Sequence, residues 1–198
     1  MTTNARKLEN CTYGDYLTWP EEERWEIIEG VPYAMSPAPP PRHQIISGNL
    51  FVQIHPFLVD KDCLVFYAPF DVRLPKSDES DQNITTVVQP DISVICDPAK
   101  IDDRGCRGAP DFIVEILSPH TSRKDQVEKL ALYEKHGVKE YWIIYPDYAT
   151  VIVRLLGEDG KYGPPKINEA DGNLEAAVLP DLTIDLDAVF ERREGETW

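Results

Sequence analysis

One carboxylate stands inside the most apolar stretch of this sequence. Phe112-Ile113-Val114-Glu115-Ile116-Leu117-Ser118 reads as a central β-strand covered on both faces, and Glu115 interrupts it. Burying such a group is costly unless it is paired, protonated or bound to a metal ion. Strand alternation puts Ile113, Glu115 and Leu117 on one face. Two residues could bring a second carboxylate to it. Asp111 is on the same face but, at ~3.3 Å per residue, about 13 Å away, too far to share one ion. Asp91, in Gln89-Pro90-Asp91-Ile92-Ser93-Val94-Ile95, opens a different strand, and if the two strands pair its side chain lies beside Glu115. Asp91 is the better partner.

Two carboxylates on paired strands suit a divalent ion such as Mg2+ or Mn2+. An ion held there lowers the pKa of a bound water and stabilises charge on a phosphoryl oxygen. A nearby lysine would orient the nucleophile or neutralise developing negative charge. In the helix expected over 122–136, Gln126, Lys129, Leu130 and Tyr133 share one face. Leu130 makes that face the inward one, so Lys129 is directed at the sheet while Lys124 and Lys135 point to water. His43 opens another expected helix, on the stripe of Ile46 and Leu50. It reads either as a satisfied, partly buried side chain or as a ligand to metal or phosphate through a ring nitrogen. Glu26 and Glu29 sit on an expected hairpin, where Glu29 can serve as a turn residue.

These residues need a scaffold. A short helix is expected over 13–19, capped by Thr12 with Asp15. A hairpin turns at Glu29-Gly30. The segment 36–41 contains four prolines and cannot be helix or central strand. A helix follows over 42–59, which Pro56 should kink or end early. Strands are expected over 63–74 and 85–96, a mobile polar loop over 75–83 and a loop over 97–110. The strand carrying Glu115 leads into the helix over 122–136, stopped by Gly137, and then into the strand 140–145. Further strands are expected at 149–156 and 173–179. The order helix–strand–strand–strand–helix–strand defines an α/β core with a mixed sheet. No repeat or linker divides it, so one domain is expected over 1–198, with its core at about 13–190 and frayed ends at 1–10 and 191–198.

Composition bounds the chemistry. The chain has 198 residues, 42% hydrophobic and 28% charged, an ordinary globular balance. Its net charge of −15 counts against broad electrostatic binding of nucleic acid, though not against an acidic site that works through a bound cation. No apolar run approaches the ~20 residues of a membrane helix. The start, MTTNARKLEN, lacks a secretory signal, so a cytoplasmic protein is expected. Cys11, Cys63, Cys96 and Cys106 form no CxxC pair and are expected as reduced thiols rather than zinc ligands. Tyr141, Trp142 and Tyr145 read as sheet packing. GxSxG, the Walker lysine motif and GxGxxG are all missing, which leaves nucleophile-elbow and nucleotide-cofactor readings without support.

The segments PDISV and PDFIVEILSPHTSRKDQVEKLALYEKHGVKEYWIIYP resemble the Uma-type restriction-endonuclease family of the PD-(D/E)XK nuclease superfamily. ERWEIIEGVPYAM, SPAPPPRHQIISGNL and LPDLTIDLDAVF follow its pattern too, and the resemblance covers roughly 13–190. It implies a restriction-endonuclease-like fold (αβββαβ) and metal-dependent hydrolysis of nucleic acid, DNA foremost, by a homodimer. Asp91 corresponds to the aspartate of the PD half and Glu115 to the acid of the (D/E)XK half. Leu117 stands where the superfamily has lysine. The resemblance implies that the lysine has moved to the following helix, where Lys129 fits, and Lys129-x-x-x-Tyr133 is similar to a Q-x-x-x-Y motif of related nucleases. The family pattern also carries a histidine at the position of His43 and acids before glycine in the first hairpin, which implies a functional His43 and accessory roles for Glu26 and Glu29, the latter reading equally well as a turn residue. The departure at Leu117 leaves room for two rivals: a nuclease-fold binding or regulatory module without turnover, and a hydrolase of another phosphate ester.

Overall fold

The computed structural model describes residues 10–20, 22–35, 38–118, 123–169 and 171–191, with only the backbone of 123–126. The ends expected to fray fall almost wholly outside the described residues, as do the side chains of Lys124 and Gln126. Thr12 opens the first helix, α1 (Tyr13–Tyr16), through a reciprocal capping box: Asp15 N donates to Thr12 Oγ1 at 3.3 Å, and Thr12 N to Asp15 Oδ2 at 2.9 Å. Strands β1 (Trp25–Ile28) and β2 (Val31–Ala34) form the expected hairpin. Glu29 and Gly30, both at positive φ (49° and 84°), make the turn whose twist matches the flanking strands. Helix α2 (Pro41–Leu58) begins on a proline, which gives up only a donor that has no intrahelical partner there. It does not end early at Pro56 but runs through it. The lost bond falls near the last turn, and Leu58, buried with Ile46, Leu50 and Ile54, holds that turn on the core.

Each of the two expected long strands is in fact two short ones. Residues 63–74 divide into β3 (Leu64–Tyr67) and β4 (Val72–Arg73), and 85–96 into β5 (Val87–Val88) and β6 (Ile92–Ile95). The halves belong to different sheets. Pro69 and Pro90, which have no N–H to give a ladder, sit at the breaks. The polar segment before β5 was expected to be mobile, yet its Asp81 accepts hydrogen bonds from Arg73 and Arg107. The expected loop 97–110 contains the small hairpin β7 (Ile101–Asp102) and β8 (Gly105–Arg107).

Strand β9 (Phe112–Ile116) follows, then helix α3 (Arg123–His136) and strand β10 (Glu140–Tyr145). The chain ends through β11 (Thr150–Leu155), β12 (Lys166–Glu169), β13 (Asn173–Glu175), β14 (Thr183–Asp185) and α4 (Leu186–Phe190). The main sheet has the order β12-β11-β10-β9-β6-β3. Only β9 and β10 are parallel, with α3 as their crossover, so the sheet is mixed. The expected core order survives as α2–β3–β6–β9–α3–β10. A second sheet, β2-β1-β5-β4-β8-β7, carries the first hairpin.

Alternation along the buried β9 and β10 sorts the core into two layers. Phe112, Val114, Ile116, Trp142 and Ile144 pack with α2 and the C-terminal segment. Ile113, Tyr141 and Ile143 pack with Leu132 and Tyr133 of α3 and with the second sheet. Glu115 shares the face of Ile113, the α3 side. Glu140, fully buried, accepts from Trp142 Nε1 at 2.7 Å and Val178 N at 2.9 Å, tying the segment between β13 and β14 to the sheet.

The expectation of four reduced thiols is corrected. Leu64 pairs with Ile95 across β3 and β6, so the next residues out, Cys63 and Cys96, are neighbours, and they form a disulfide. Spacing along the chain hides this pair because only the strand register brings it together. Cys11 and Cys106 are free and buried.

Candidate active site

Strand β6 runs antiparallel to β9 with Ile92 opposite Val114, and one further step of that register sets Asp91 against Glu115. Asp91 Oδ2 accepts a hydrogen bond from Ile116 N at 2.7 Å, which fixes the carboxylate at the strand end. From the first turn of α2, His43 Nε2 reaches the same oxygen at 3.2 Å. The other ring nitrogen, Nδ1, is buried without a hydrogen-bond partner. Burial alone would lower the His43 pKa. The hydrogen bond and charge of Asp91, with help from Glu115, outweigh it and lift the imidazole above its ordinary value.

On α3 the four-residue spacing directs Lys129 and Tyr133 to the sheet. Lys129 Nζ lies 2.8 Å from Glu115 Oε1 and 2.8 Å from Glu26 Oε1. Tyr133 Oη donates to Glu115 Oε1 at 2.6 Å. Glu26 arrives from the second sheet on β1, so the lysine bridges acids from two sheets. Burial pushes the Glu115 carboxyl up to about 7, with Lys129 pulling it down and Asp91 and Glu26 adding to the rise. Burial works against the Lys129 ammonium, but the two carboxylates overcome it and hold the lysine charged far above the neutral range.

Asp91, Glu115, Lys129, Glu26 and His43 thus line one cleft of about 800 Å3, with Leu117 in its wall. Tyr133 is buried behind it. Glu29 is not in the cleft: it is exposed on the hairpin turn and pairs with Lys135, itself expected to face only water. Sequence reading also missed a polar network at the edge of the cleft. Gln89 Nε2 donates to Asp71 Oδ1 at 2.9 Å and to Tyr16 Oη at 3.1 Å, while its backbone N donates to Glu26 Oε1 at 2.9 Å. Arg24 donates to Gln89 Oε1 from Nε at 3.1 Å and Nη2 at 2.8 Å. The available signals were slight: Arg24 alternates with Glu26, and Gln89 stands two residues before Asp91.

The donor chemistry fits a hard divalent ion. Among the described residues no group of three or more His, Cys, Asp and Glu side chains is arranged as a ready cage. Mg2+ does not need one, since it keeps several waters and binds through one or two carboxylates. The Lys129 and Tyr133 bonds both use Oε1 of Glu115, and the Ile116 and His43 contacts both use Oδ2 of Asp91, so the second oxygen of each acid takes no part in these contacts.

Comparison with known proteins agrees with this architecture. A solved structure of a "putative nuclease belonging to DUF820" from Anabaena variabilis superposes with a TM-score of 0.71 at 23% identity, covering 91% of this chain and 97% of that one. Its fold is therefore shared. The uncharacterized protein slr1290 of Synechocystis is 29% identical over 151 residues, 75% of each chain. The family described as "Uma2: Putative restriction endonuclease" matches residues 13–187. That match runs from the start of α1 into α4, and on its extent the chain belongs to the Uma2 family, with a restriction-endonuclease-like fold.

Proposed function

We propose that this protein is an Mg2+- or Mn2+-dependent endonuclease that hydrolyses phosphodiester bonds in nucleic acid, DNA foremost. The observation that carries this reading is the meeting of Asp91 and Glu115 across β6 and β9 with Lys129 bonded to Glu115. Asp91 and Glu115 would hold the ion, with His43 as an added nitrogen ligand or a donor to phosphate. The ion, when bound, supplies a water of lowered pKa and positive charge toward the phosphoryl oxygens. Lys129 stays protonated, so it serves as a positive charge and hydrogen-bond donor rather than as a base. Tyr133 and Ile116 N hold the two acids in place. Glu26 anchors Lys129 from the opposite sheet. The reading includes a homodimer, because two sites are needed to cut both strands of a duplex. Among the described residues no helix is long and apolar enough to cross a membrane.

One observation favours a second reading. Lys129 is tied to two carboxylates, as a purely structural ion-pair partner would be, and Leu117 occupies the usual lysine position. Incubating the wild type, Asp91→Asn and Glu115→Gln with plasmid DNA, single-stranded DNA and RNA in Mg2+ or Mn2+ decides between them. Cleavage by the wild type and its loss in both variants is expected. Binding without cleavage of any substrate would make the protein a nuclease-fold binding module. Turnover confined to small phosphate esters would make it a different hydrolase.

A further inference from the structure

Among the described residues Arg24 and Lys129 are the arginine and the lysine that line the cleft, and they are held in different ways. Lys129 is bonded to two carboxylates. Arg24 is bonded to a neutral amide, and among the described residues no carboxylate pairs with it. The hairpin continues one step past β1, where Met35 N donates to the Arg24 carbonyl at 2.9 Å. Alternation then puts Arg24 on the same side as Glu26. The amide that holds it is buried and oriented: the nitrogen end of Gln89 is fixed by Asp71 and Tyr16, so its oxygen end faces the guanidinium. Two of the five N–H groups of Arg24 are used in this way, and among the described residues no other acceptor takes the rest. A planar, uncompensated guanidinium held in a fixed pose suits a phosphate, which it can grip through two oxygens.

We infer that Arg24 binds a backbone phosphate of the substrate strand beside the Asp91–Glu115 pair, with Gln89 as the residue that positions it. The inference rests on the nucleic-acid reading above and gives that site its grip on the strand. A phosphate contact carries no sequence information, so it serves any nucleic acid equally.

The test is fluorescence anisotropy of a labelled 20-base-pair DNA duplex, in EDTA and at low salt, over a salt series. Arg24→Ala is expected to weaken binding roughly tenfold and to reduce the slope of log affinity against log salt by about 0.9. Arg104→Ala removes the same charge from an exposed turn outside the cleft and is expected to change neither. Gln89→Glu sets a carboxylate against Arg24 and is expected to weaken binding as Arg24→Ala does, with its melting temperature checked beside it. Wild-type affinity and slope in Arg24→Ala, or no binding by the wild type, would overturn the inference. A folded Gln89→Glu that binds normally would remove Gln89 from it. Cleavage of the same duplex in Mg2+ is read in parallel. Arg24-dependent binding without cleavage counts against hydrolysis alone, and cleavage with Arg24-independent binding counts against Arg24 alone.

Discussion

Two readouts of one substitution would tell the structural role of Lys129 from its proposed catalytic one. Lys129 is paired with Glu26 and Glu115, and under the proposed function it would also offer a positive charge to substrate. Lys129→Ala should abolish metal-dependent cleavage in a gel assay. It should also cost about 3–5 kcal/mol of stability in urea unfolding, because two carboxylates lose their partner in a place water hardly reaches. Lys124→Ala and Lys135→Ala should cleave like the wild type. The Lys135–Glu29 pair is exposed and of the kind that contributes about 0–1 kcal/mol. A folded Lys129→Ala that still cleaves would end the idea of a migrated lysine. This residue was legible in the sequence because helical spacing fixes its face and Glu115 is conspicuous in an apolar strand. Arg24 and Gln89 were not. An arginine on a hairpin and a glutamine before a proline look ordinary until the second sheet folds against the first. The role of Tyr133 was half legible: its face followed from spacing, its bond to Glu115 only from the structure.

At the scale of elements, the strand pairing that creates the site is also the one that creates the disulfide. Cys63–Cys96 closes a separation of 33 residues, and its reduction should lower stability by about 4 kcal/mol on the chain-entropy account. Urea titrations with and without reductant, set beside the Cys63→Ser/Cys96→Ser double variant, measure this, and equal midpoints would refute it. Strand β10 offers a second test through Glu140. Burial raises its carboxyl pKa above the ordinary value, against the pull of the hydrogen bonds from Val178 N and Trp142 Nε1. The folded protein therefore keeps this proton to higher pH than the unfolded chain does. The associated stability is complete below the ordinary carboxylate range and is lost as pH rises from there through the raised folded value. Glu140→Gln should remove that component of the pH slope of unfolding free energy. Glu140→Leu should cost about 1–3 kcal/mol for each donor left unpaired. Element order was readable from periodicity. The division of two strands between sheets was not, because a proline shows where a ladder stops but not which sheet the chain joins next.

For the molecule as a whole, the net charge of −15 limits how nucleic acid can be held. Long duplex DNA should bind weakly in chelator, and what binding there is should fall steeply with added salt. Tight binding in EDTA at physiological salt would contradict this. The −15 was plain from composition, but the placement in the cleft of an arginine held by an amide required three dimensions. The Lys129 bridge has a further consequence for how the empty protein behaves. Small domains whose ligands repel one another until metal arrives unravel in chelator. Here the chain supplies a resident counter-ion of its own, so Lys129 offsets part of the charge of Glu26 and Glu115 without the proposed metal. Under the proposed function scaffold and cofactor would thereby be uncoupled: stripping divalent ions should silence the protein without melting it, and the same molecule should return to work when they are restored.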